Sequence, residues 1–291
     1  MAPIQSITST IVFLSVSLSC FGQTQPLSGV AYKAGTREPI PFVTIGVLHT
    51  PNGTVTNVNG VFSISVKETD TLVFSSVGYK KLTVRVDFSD TNIFLEEEIT
   101  ALEEVKVIAH RKREKNSLGD AKAKTIMIAG GSNQYAKLFT NPRNETGVLE
   151  TITFCVEQPY KDQKFNAVLL LHIYTNDSGM PGKDILEKNV AMQLGKREKK
   201  INLNLTSLEI TFPPEGFFIG IDFIGYYNEQ GSFIPYGRKN SPVKIYVQFT
   251  DAKTSDTFEK FFGTSWSTVD LVSRDGRRTP LAAKFGITVS Y

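Results

Sequence analysis

Residues 61–66 read VFSISV, so Phe62, Ile64 and Val66 fall on one side of an extended backbone and Ser63 and Ser65 on the other. Leu82, Val84 and Val86 repeat the alternation. A period of two marks strands with one face in a core and the other in solvent. Asn59-Gly60 stands between Thr54-Val55-Thr56 and this run, and a two-residue turn with positive φ at both positions strongly prefers that dipeptide, which predicts a tight hairpin. Pro39 and Pro41 cannot donate to a ladder, so they belong at the start or edge of a strand predicted over residues 42–48. Gly78 marks another sharp turn. Short strands at such regular spacing predict a β-sandwich over residues 25–109.

Apolar runs rich in β-branched and aromatic residues return at 148–156, 165–174, 201–205, 217–224, 243–249 and 285–289. Turn clusters separate them, among them residues 176–182 and 213–216, and no long amphipathic pattern intervenes. The expectation is an all-β chain with a second, larger sandwich of jelly-roll type over residues 125–291. Residues 284–291 alternate and end on Tyr291, as the closing strand of a membrane barrel would, so an eight-stranded outer-membrane barrel is the alternative. Against it, Val168-Leu169-Leu170-Leu171 and Phe217-Phe218-Ile219 put apolar side chains on both faces. Between the halves, Glu96, Glu97, Glu98, Glu103 and Glu104 precede Lys106, Arg111, Lys112, Arg113 and Lys115, and apolar periodicity fades. A charged linker over residues 110–124 is the expectation.

With 291 residues and 41% hydrophobic content, two ordinary domains can each bury a core. A net charge of +3 lacks the concentrated basic stripe of a nucleic-acid binder, so no such partner is expected. Residues 4–21 are apolar and uncharged, then reach Ser19, Cys20 and Gly22. The run is short of the ~20 residues of a membrane span, so a signal peptide over residues 1–22 is expected, although residues 1–6 lack Lys or Arg. The exported protein would work in the periplasm, at the outer-membrane surface or outside the cell, with peripheral membrane association at most. Cleavage after Gly22 would leave one thiol, Cys155, which rules out an internal disulfide and reads as a small buried hydrophobe.

The segments SGVAYKAGTREPIPFVTI, NGTVTNVNGVFSISV and DTLVFSSVGYKK, with the spacing of Gly53, Gly60 and Gly78, resemble the carboxypeptidase-like regulatory domain over residues 27–95. The resemblance implies a transthyretin-like β-sandwich: a non-catalytic module of secreted and outer-membrane proteins of Gram-negative bacteria, often at the front of TonB-dependent receptors. Residues 102–109, LEEVKVIA, are similar to the stretch that follows the module in those receptors. The resemblance is not extended to receptor transport. GVLETITF, NAVLLLHIY, NDSGMPGKDIL, INLNL and FPPEGFFIGIDF are similar to carbohydrate-binding-type jelly rolls.

The family name invites a peptidase reading that the residues oppose. A zinc carboxypeptidase needs two histidines and a carboxylate on one metal, whereas His49, His110 and His172 are followed three positions later by Asn52, Arg113 and Thr175. Residues 263–267 lack the closing glycine of a nucleophile elbow, and there is no GxxxxGK phosphate loop. No catalytic residue, metal or cofactor is therefore expected. Candidate ligand contacts are Trp266, in the polar stretch Gly263-Thr264-Ser265-Trp266-Ser267, with Arg274 and Arg277 downstream. An exposed indole beside polar groups stacks on sugar rings, while a buried one simply plugs the end of the sandwich. Asp177 and Asp184 flank a glycine turn and fit either a calcium site or an ordinary Asx turn. The expected function is an exported, non-catalytic binding or assembly protein of the cell envelope, its partner an envelope protein or a glycan. The alternatives are carbohydrate binding through the second sandwich and the small barrel.

Overall fold

The computed structural model describes residues 24–98, 114–129, 134–157, 166–195, 198–236 and 245–291, which leaves the expected signal peptide and most of the charged junction outside the described residues. Everything described is strand and turn, apart from one 3-10 turn at Thr206–Leu208. The fold is all-β.

Seven strands build the N-terminal part: β1 (Gln25–Lys33), β2 (Thr44–Val47), β3 (Gly53–Val55), β4 (Val61–Val66), β5 (Thr71–Ser75), β6 (Leu82–Arg85) and β7 (Asn92–Leu95). They form two sheets, ordered β4-β1-β7 and β3-β2-β5-β6, with the β1–β7 pair parallel and the rest antiparallel. The alternation read from sequence is realised, since Phe62, Ile64 and Val66 are buried and Val61, Ser63 and Ser65 exposed. They pack with Ile45, Leu72, Phe74 and Leu95 in a core of their own.

The predicted hairpin at Asn59-Gly60 does not form, because β3 pairs with β2 and β4 with β1, in different sheets. Of the two residues only Gly60 has a positive φ, +71°. The Asn57 side chain decides the turn. Its Oδ1 accepts the N–H groups of Asn59 at 2.9 Å and Val61 at 3.0 Å, an Asx turn that passes the chain across the sandwich instead of folding it back.

The C-terminal part has three antiparallel sheets around a second core. Its central pair is Asn166–Asp177 with Phe217–Tyr227, flanked by Gln134–Phe139. A second sheet places Gly147–Phe154 between Ile201–Asn204 and Phe285–Ser290. A third joins Val156–Glu157, Tyr246–Asp251, Arg278–Ala283 and Asp270–Val272. Phe154 and Phe285 meet edge to face at 4.8 Å in the core.

Two expectations change here. Phe285–Ser290 is an interior, largely buried strand of an open path, and no described sheet closes on itself, so the strands do not take the barrel arrangement. Lys115–Gly119, assigned by its charge to the linker, is a strand along Phe285–Ser290. Its charged and polar residues face solvent from a sheet edge, where they blunt further pairing.

Candidate binding site

The two parts meet through backbone. The turn at residues 261–264 lies against the β2–β3 connection, where Gly263 O accepts the His49 N–H at 2.8 Å and Gly263 N–H donates to Thr50 O at 3.2 Å. Glycines make this approach feasible. A Cβ on Gly263 would sit 1.9 Å from Val47 O, one on Gly46 2.6 Å from Gly263 N, and one on Gly53 2.2 Å from the Phe262 ring. An apolar cluster of Val55, Val168, Leu170, Ile224 and Phe233, with Phe42 and Phe262 against it, seals one side. Polar contacts add direction, with Thr44 Oγ1 donating to buried Asp222 at 3.3 Å and Lys183 paired to Glu98 at 2.9 Å. Gly78, with φ +80°, fits against the Glu187 carbonyl, which a Cβ would approach to 2.1 Å.

Between the parts lies a cavity of about 560 Å³, within the roughly 300–1,000 Å³ range of small-molecule sites. Thr44, Val73, Ser76 and Tyr79 line it from the N-terminal side, and His172, Tyr174, Asp184, Asn189, Lys260 and Trp266 from the other. Strand period explains the second wall. On Asn166–Asp177, Leu169, Leu171 and Ile173 enter the C-terminal core, which turns Leu170, His172 and Tyr174 toward the junction.

His172 Nδ1 donates to Asp184 Oδ2 at 2.6 Å, and Asp184 Oδ1 also accepts the Leu186 N–H at 3.1 Å. The imidazole stacks on the Tyr174 ring, 5.4 Å between centroids and 7° from parallel. Burial, reinforced by the negative charges of Asp184 and Asp222, holds the Tyr174 phenol well above its ordinary range. Trp266 stands edge-on to Tyr174 at 5.6 Å, and Lys260 Nζ lies 4.6 Å from the Trp266 ring centroid. Behind them, Gln134 Nε2 donates to Asp222 Oδ2 at 2.9 Å.

Lys260 is lowered from 10.5 to about 8, chiefly by desolvation and further by Lys81, against the opposing pull of Asp222 and Asp184. Its folded value lies below its unfolded one, so the charged amine costs stability below pH 8, and that cost is relieved as pH rises from about 8 toward 10.5. Competitive acylation with peptide mapping should give a Lys260 midpoint near pH 8, well below the ordinary lysine range. A Lys260 midpoint among the exposed lysines would show that the cavity does not desolvate it.

Of the residues singled out in the sequence, Trp266 stands in the cavity wall. Arg274 and Arg277 lie on the exposed turn between Asp270–Val272 and Arg278–Ala283, where Arg277 Nε pairs with Asp275 at 2.7 Å, and neither lines the cavity. Asp184 serves His172, while Asp177 accepts from Thr175 Oγ1 at 2.7 Å. Among the described residues no group of three or more His, Cys, Asp or Glu is placed to hold a metal. Cys155 is buried, and burial raises its thiol. The sequence weighs His172 only as a zinc ligand and singles out neither Gln134, Asn189 nor Lys260. The signal for His172 was present, a single imidazole within an otherwise apolar strand.

Residues 27–107 match the family model of the CarboxypepD_reg-like domain, a non-catalytic accessory domain. Over 108 residues the chain is 31% identical to the TonB-dependent receptor SusC of Bacteroides thetaiotaomicron, a stretch that is 37% of this chain and 11% of the receptor. The chain thus spans about a tenth of that relative's length. Among solved structures, the major pilin subunit BcpA of Bacillus cereus aligns over 92% of this chain and 95% of its own at 11% identity and TM-score 0.17. Infectious bursal disease virus Gt strain aligns over 92% and 64% at 10% identity and TM-score 0.16.

Proposed function

We propose that this protein is an exported, non-catalytic binding or assembly protein of the bacterial cell envelope, in which the regulatory-like sandwich and the C-terminal sheets together form the ligand cleft. The match of residues 27–107 to an accessory domain carries the reading. Two further observations support it. The cleft contains a histidine oriented by a carboxylate, yet among the described residues His172 Nε2 has no hydrogen-bond partner, whereas nucleophilic catalysis requires a hydroxyl or thiol bonded to such a base. No helix among the described residues is long and apolar enough to cross a membrane. The apolar leader at residues 4–21 supplies the export route.

Fractionation of the producing cell tests this. Mature protein beginning near Gln23 should be recovered with the envelope or the medium. Full-length protein confined to the cytosol would overturn export, and turnover of a peptide or glycan by the purified protein would overturn the non-catalytic assignment.

A further inference from the structure

We propose that the junction cavity binds a neutral saccharide through the acceptor atoms of Gln134, His172 and Asn189 and the indole of Trp266. This rests on the cavity being the ligand site. Three of its lining residues carry a buried polar atom with no hydrogen-bond partner: Gln134 Oε1, His172 Nε2 and Asn189 Oδ1. Buried polar atoms are satisfied in the great majority of cases, and each exception costs about 1–3 kcal/mol. Three at one cavity call for a common partner.

All three are acceptors. Gln134 and Asn189 use their NH₂ groups on Asp222 and on Pro41 O, which leaves the amide oxygens without a donor. Asp184 fixes the His172 proton on Nδ1, so in the neutral ring Nε2 presents a lone pair. The partner must therefore donate. An ammonium group donates too, but Lys81 and Lys260 border the cavity and repel it. An acid gains little, because Glu98 and Asp184 line the same walls and Asp222 lies behind Gln134. On the walls Lys81, Lys183 and Lys260 stand with Glu98 and Asp184, and Asp222 lies behind Gln134, so charges of both signs are mixed and neither dominates. What remains is a neutral, hydroxyl-rich molecule with an apolar face for Trp266, the chemistry of a pyranose. The N-terminal sandwich forms one wall, so binding needs both parts of the chain.

Trp266 is the only tryptophan in the chain, so its emission reports on this cavity directly. The full mature protein is titrated with maltose, cellobiose, lactose and chitobiose, and with digalacturonate and glucosamine as charged counterparts, by fluorescence and calorimetry. A saturable emission change with a neutral disaccharide supports the proposal. Asn189→Ala and His172→Phe should then weaken binding about five- to tenfold each, as loss of one hydrogen bond does, with melting temperatures near wild type. Preference for the charged sugars overturns the neutral ligand class while leaving the cleft as a ligand site. No response to any sugar overturns the proposal and assigns the orphan acceptors to water, whereas the envelope reading fails only by cytosolic fractionation or turnover. Equal affinity in the two variants moves the sugar site elsewhere and overturns the residue assignment.

Discussion

Asp120→Ala is expected to lower the unfolding free energy by about 3 kcal/mol, and adding Lys137→Met is expected to restore much of that loss. Lys137 is only 2% exposed, within the strand Gln134–Phe139. Its ammonium is ion-paired with Asp120, lies 3.5 Å from Asp256, and donates to Ala283 O at 2.9 Å. Removing Asp120 leaves a desolvated cation with one longer carboxylate contact, and breaking a buried pair from one side costs about 3–5 kcal/mol. The lower end applies because Asp120 is itself 37% exposed and recovers some hydration. Methionine at 137 removes the stranded charge while keeping much of the side chain's bulk, and whole-pair replacement by apolar groups is often close to neutral. Urea unfolding at constant m-value measures both variants. A single variant within about 0.5 kcal/mol of wild type, or a double variant weaker than the single, would show that the pair does not hold this sheet together.

Lys137 also shows where sequence reading stops. The fold class was legible because it follows from a local period: Phe62-Ser63-Ile64-Ser65-Val66 alternates, and Val168 to Leu171 does not, as half-buried and doubly buried strands require. The route between sheets was not legible at Asn57-Val58-Asn59-Gly60. The dipeptide's hairpin preference lost to an Asn57 side chain whose two hydrogen bonds serve a turn between different sheets. Residues 115–119 were hidden for a similar reason. Their charges are the solvent side of a strand whose ladder partners lie about 170 residues later, at Phe285–Ser290. Trp266 was visible as a candidate, since an aromatic in a polar loop stands out locally. Its companions were not. Gln134, His172 and Lys260 come from three strands of one C-terminal sheet, with Gln134 directly opposite Lys260, and Asn189 from a connection beside it, so non-local strand pairing brings them together. The arginines near Trp266 in sequence are carried away from it by the hairpin in which they sit.

Packing of the two parts of the chain against each other gives the second large effect, Gly263→Val, which is expected to separate them and to destabilise the junction by roughly 2–4 kcal/mol. The new Cβ would lie 1.9 Å from Val47 O, 2.6 Å from the Val47 carbonyl carbon and 2.9 Å from Thr50 O. All three are backbone atoms with no rotamer to retreat to, so the turn at 261–264 must lift. Lifting breaks the two hydrogen bonds of Gly263 with His49 and Thr50 and draws Phe262 off Gly53. Phe262, Thr264 and Trp266 are cavity wall, so the site opens with the junction. Trp266 emission should shift to the red, and sugar binding should disappear if the saccharide assignment holds. Each part keeps a main core of its own, bridged by Val77, which is buried in the C-terminal core, and by the cluster around Val55 and Val168. With the strap lifted that coupling weakens, and one cooperative unfolding transition should split into two, seen as non-coincident curves by fluorescence and circular dichroism. Ser265→Ala, at an exposed cavity-wall residue just beyond that turn, is the stability control and should stay within about 0.5 kcal/mol of wild type. Wild-type emission with a single transition in Gly263→Val would mean that the glycine contacts are incidental, and that the N-terminal sandwich neither closes the cavity nor couples to the sheets beyond it.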